Sequence, residues 1–195
     1  MVGVVAVGWL VLISGCGFEN PLARRPSKDI NTWLLGVWVM KDGRDKMIRA
    51  MVTPRSSDRY LIVVEEEGVA ARRGKRLARF EGYIVRVGRM NFLNLRCLEG
   101  SGMVGEGRHF FAQYQVLEQN SVRVREPVLT AGQGASSYRL RQEVRARLKE
   151  GTLFVGPGSD WRRVSEVYWG DANGIQPQQP LRFPELAEEV SRQRR

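Results

Sequence analysis

From Trp33 onward, short runs rich in Val, Ile, Leu, Tyr and Phe recur every eight to twelve residues, separated by clusters of Gly, Asp, Ser or Pro. That spacing is the pattern of an all-β domain. Strands are predicted near Trp33–Met40, Met47–Thr53, Arg59–Glu65, Leu77–Val87, Asn91–Leu98, His109–Leu117 and Ser121–Glu126. Turns are expected between them at Lys41-Asp42-Gly43, Pro54 to Ser57, Gly88-Arg89, Gly100-Ser101-Gly102 and Glu118-Gln119-Asn120. Alternation with period two is clearest in Val122-Arg123-Val124-Arg125, and again where Leu93, Leu95 and Cys97 oppose Asn94 and Arg96. One face of each strand is therefore buried and the other wet, which argues for antiparallel pairing and against a parallel α/β sheet. The period changes at Ser136, where Leu140, Val144 and Leu148 recur four residues apart among arginines and Gly151 is placed to end the segment. This predicts an amphipathic helix near 137–149. Thr152–Val155 and Trp161–Val164 then read as extended, split by Gly156-Pro157-Gly158. The predicted class is mainly β: an antiparallel up-and-down barrel or small sandwich with one C-terminal amphipathic helix.

The chain begins differently. An uncharged apolar run from Val2 to Ile13 leads into Ile13-Ser14-Gly15-Cys16. About twelve residues at about 1.5 Å each reach about 18 Å, short of the roughly 30 Å hydrocarbon core of a bilayer. The stretch resembles the lipobox signal of bacterial lipoproteins, although no Lys or Arg precedes the apolar run. The resemblance implies a signal peptide over 1–15, cleavage between Gly15 and Cys16, and lipidation of Cys16. It implies a place in the bacterial cell envelope, lipid-anchored on the periplasmic side. Gly17, in place of an aspartate after the cysteine, favours the outer membrane. Residues 16–31, with Pro21 and Pro26, read as a tether, 32–165 as the β domain, and 166–195 as a polar, partly disordered tail.

A net charge of +10 and a pI near 10.3 belong wholly to the chain after the signal. In the cytosol such a charge points to nucleic acid. Export removes that partner and leaves anionic head groups, anionic envelope polymers or an envelope protein. With Cys16 lipidated, Cys97 is left without a disulfide partner and reads as a small apolar residue on a strand face.

The order of seven strands, helix and strand, with Gly36-Val37-Trp38 in the first strand, resembles the lipocalin superfamily over roughly Trp33–Val164. The resemblance implies that Gly36 and Trp38 form the barrel floor, that one of Arg123, Arg125, Arg162 or Arg163 packs over the indole, and that the helix lies outside the barrel. It departs from that pattern in showing seven rather than eight strands before the helix.

Catalytic chemistry is thinly represented. His109 stands alone beside Phe110 and Phe111, so no metal site is expected. Glu65-Glu66-Glu67 follows a strand and reads as a solvated loop. Gly132-Gln133-Gly134 and Gly102 to Gly107 lack the strand-to-helix setting and lysine of a phosphate loop. The chain is not expected to be an enzyme or to hold a cofactor. Two functions remain open: an interaction or scaffold lipoprotein with a filled barrel, and a carrier of a small apolar ligand such as a fatty acid or lipid.

Overall fold

Eight antiparallel strands form a sheet whose two edges meet. The computed structural model describes residues 17–41, 47–67, 76–99, 105–118 and 120–165. The strands are β1 (Gly36–Lys41), β2 (Met47–Ser56), β3 (Arg59–Glu67), β4 (Arg76–Val87), β5 (Met90–Glu99), β6 (His109–Glu118), β7 (Ser121–Arg125) and β8 (Ser159–Ser165). Each pairs antiparallel with the next, and β8 closes onto β1 through Trp38↔Arg163 and Val39↔Arg162. Closure leaves no open sheet edge. The strand expected after the helix at Trp161–Val164 lies within the eighth strand. The fold is a mainly β, closed antiparallel barrel with one amphipathic helix, α1 (Ser137–Glu150), inserted between β7 and β8.

Several expectations are corrected. Pro54 to Ser56, expected in a turn, belong to β2, and the turn falls at Ser57-Asp58. Thr32–Leu34 forms a 3-10 turn rather than the start of a strand, because the Asn31 side chain accepts the Trp33 amide and caps the turn. Gly36, with φ of 136°, then allows the chain to swing into β1 in a conformation that L side chains rarely adopt. Thr152–Val155 contributes only one bridge, Phe154 to Pro127, and no ladder. The expected loop at Glu65–Glu67 is the end of β3, where Glu65 is buried opposite Arg49.

The interior core contains Trp38, Tyr60, Phe80, Phe110, Tyr114 and Trp161. A second core lies on the outer wall of β4–β6. There Tyr83, Val85, Phe92 and Phe111 meet Leu140 and Val144 of α1 and Leu22 from the N-terminal segment. Ser136 caps α1 by accepting the Arg139 amide, and Gly151 ends it in the left-handed region with φ of 73°. Residues 17–31, expected to be a tether, are instead a strap laid along this wall. Phe18 and His109 exchange backbone hydrogen bonds of 2.9 and 2.8 Å, the buried Asn94 side chain accepts the Leu22 amide, and the Ser27 amide reaches Ile84 O. Leu22 is fully buried, so the strap adds apolar burial as well as hydrogen bonds. Gly15 and Cys16, the turns at Asp42-Gly43 and Gly100 to Gly102, and the tail from 166 lie outside the described residues.

Candidate functional site

At the start of β1 the 3-10 turn packs Leu34 and the following Leu35 into the interior core. The Trp38 indole donates to Leu34 O at 2.8 Å, tying that turn to the strand that follows it. The Tyr60 hydroxyl binds the Asn31 backbone from the other side, and its burial pushes the phenol well above the ordinary range. Gly36 supplies the bend and Trp38 the buried ring here. Of the four candidate arginines, Arg163 lies over Trp38, 5.6 Å from the ring centroid, and 5.4 Å from the centroid of Trp33. Its Nε and a terminal nitrogen both donate to Asn120 Oδ1, at 3.1 and 3.0 Å. Strand parity explains the selection: Trp161 points inward, so Arg163 does too, while Arg162 faces out and Arg123 pairs outside with Asp160 at 2.6 Å.

Against Leu34 and Trp38 lies a cavity of about 80 Å³ with an apolar wall. Trp38, Tyr60, Phe80, Tyr114 and Trp161 bound it, and Ala50 and Ala112 leave the space that it occupies. For scale, an engineered core cavity of about 150 Å³ accepts a benzene molecule. Gly82, inward in β4, is also needed for packing, since a Cβ there would lie 3.0 Å from Ile62 Cδ1 and 3.1 Å from Leu95 Cδ2.

No protein family matches this chain, and no curated protein matches it in sequence. Among solved structures, it is similar to a de novo designed fluorescence-activating β-barrel at 16% identity, over 69% of this chain and 97% of that one, with a TM-score of 0.35.

Other candidate chemistry is dispersed. His109 lies where the strap crosses β6. Burial, reinforced by Arg96, pushes its pKa down, and its Nδ1 is 3.4 Å from Asn94 Nδ2. Among the described residues no group of three metal-ligating side chains converges. The Cys97 thiol is buried on the inward face of β5, and burial pushes its pKa up, away from the reactive thiolate. Glu126, just past β7, carries a carboxyl that burial raises to about 8. Sequence reasoning missed Glu126, because its isolation depends on how the chain leaves the sheet.

Proposed function

We propose that the protein is a lipid-anchored lipoprotein of the bacterial envelope, held on the periplasmic side and with the outer membrane favoured, whose barrel is a non-catalytic interaction or scaffold domain. The observation that carries the scaffold reading is the size of the cavity beside Trp38: the aromatic side chains around it leave about 80 Å³. A fatty acid would have to displace them. The anchor reading rests on Ile13-Ser14-Gly15-Cys16 and on the apolar run before it.

A second reading, a lipocalin-like carrier of a small apolar ligand, is favoured by one observation: the cavity wall presents no polar surface. Such a wall accepts hydrocarbon and rejects water. Protein extracted from its native membrane separates the two. The scaffold reading expects a barrel free of stoichiometric co-extracted lipid and unable to shift the emission of a fluorescent fatty acid. Stoichiometric lipid, lost in Ala112→Leu while thermal stability is kept, would install the carrier reading instead. The mass of the N-terminal peptide tests the anchor independently, since Cys16 should carry acyl chains and Cys16→Ser should leave an uncleaved precursor.

A further inference from the structure

We propose that the exposed face of α1 is a docking surface for the anionic phospholipid leaflet in which Cys16 is anchored, an inference that rests on the anchor reading above. The first link is the seating of the strap. Gly17, the residue after Cys16, is packed so closely that a Cβ on it would lie 2.6 Å from Arg108 Cβ and 2.8 Å from the Phe110 ring. Glu19 donates its amide to Gln133 O at 2.9 Å, and Asn20 Nδ2 donates to Ala135 O at 3.2 Å. Ala135 directly precedes Ser136, the cap of α1. The strap therefore passes beside the start of the helix. One peptide link spans only about 3.8 Å between Cα atoms. A lipid on Cys16 would hold this side of the barrel at the head groups with almost no slack.

The second link is the chemistry of what is brought there. Leu140 and Val144 bury one face of α1. Tyr138, Gln142, Arg145 and Lys149, at helical spacing, form the opposite stripe, all exposed, with Arg139 also exposed in the first turn. The helix holds five basic residues and two carboxylates. One carboxylate, Glu143, is turned onto the Thr130 and Ala131 amides and Arg147, so it does not neutralise the stripe. The other, Glu150, accepts from Thr152 at the last position. Among the described residues Arg139, Arg145 and Lys149 make no ion pair. The strap also exposes Arg24, Arg25 and Lys28, against the exposed carboxylate of the adjacent Asp29. Tyr138, 73% exposed, is a residue type that settles at head-group depth. An acyl anchor supplemented by a basic patch is the combination that makes membrane attachment firm.

The test uses full-chain protein purified from membranes and reconstituted into vesicles, with a fluorescent label on Gln142→Cys or, at the β2–β3 turn, Asp58→Cys. Cys97 is buried and should resist labelling. Brominated lipids should quench the label at position 142 and not at 58 in phosphatidylglycerol-containing vesicles, and the difference should vanish in phosphatidylcholine. Each cation near an anionic surface is worth about fivefold, so the triple variant Arg139→Gln, Arg145→Gln, Lys149→Gln should shift the docked-to-undocked ratio by about a hundredfold. Equal quenching at both positions, or indifference to lipid charge, with an acylated Cys16 would overturn the docking face and leave the anchor. Charge-dependent quenching with an acyl-free Cys16 would overturn the anchor and uphold the docking face. Protection of position 142 only in native membranes, never in vesicles, would assign the face to a protein partner and reject the proposal.

Discussion

Arg163 carries a positive charge on the inward face of β8, where the faces of Trp33 and Trp38 and the side-chain Oδ1 of Asn120 receive it. Arg163→Ala is expected to cost about 1–3 kcal/mol in urea unfolding, combining the cation–π contacts with the charged hydrogen bonds. Arg163→Lys should recover less than half of that, because an ammonium cannot lie flat on an indole while making forked contacts to one oxygen. Glu126 makes a second prediction, of pH dependence. Its folded-state pKa of about 8 exceeds the ordinary 4.5, so the folded chain keeps a proton that the unfolded chain has lost between those values. Stability therefore falls as pH rises through that window and is flat above it. Glu126→Gln should raise Tm by several degrees above pH 8, since about 1–2 kcal/mol corresponds to about 2–8 °C at this size, and should change little below pH 4. Differential scanning calorimetry at the two extremes checks the sign. At this scale the sequence was half legible. Gly36-Val37-Trp38 could be seen, and so could four arginines, but choosing Arg163 required the inward parity of β8. Glu126 carried no signal, because a carboxylate just past a strand looks the same in sequence whether it is buried or wet.

The helix and the strap share the outer wall but differ in how much of each could be read beforehand. For α1 every local signal agreed: apolar spacing, the Ser136 cap and Gly151 at the end. The strap has few apolar residues, among them Phe18, Leu22 and Ile30, and no sustained period, with prolines that suit a linker equally well. Its place is set by partners distant in sequence, the Asn94 side chain 72 residues away and the Ala23 carbonyl that accepts the Tyr83 hydroxyl. Leu22→Ala should therefore cost about 2–5 kcal/mol, a core-sized loss from a segment that reads as a linker. Hydrogen exchange should report faster opening at the Leu22 and Ser27 amides than at the ladders of β2 and β3. Protection factors unchanged along the strap would contradict the seating described.

At the scale of the whole molecule, barrel closure joins strands from the two ends of the domain, and the fit of large and small inward residues decides how much space is left. Ala50 and Ala112 share the wall of the cavity with five aromatic rings, and that cavity measures about 80 Å³. Ala50→Val adds two methyl groups to that space and should stabilise the protein by about 0.5–2 kcal/mol, as cavity-filling changes commonly do. Thermal unfolding checks it; a drop in Tm accompanied by release of a bound apolar molecule would show that the space was already in use. The sequence by itself determined the strand class, the helix and the Gly88-Arg89 turn, because period two, period 3.6 and glycine conformation are local properties that a chain displays residue by residue. It also carried the lipobox resemblance and the basic charge. Only the tertiary structure decided that the sheet closes through β8, that the strap belongs to the wall, and that Arg163 is the arginine over Trp38. It also decided which inward side chains bound the apolar cavity beside Trp38. Each of these depends on which distant residues meet, and pairing and packing across the barrel are set by all the strands together.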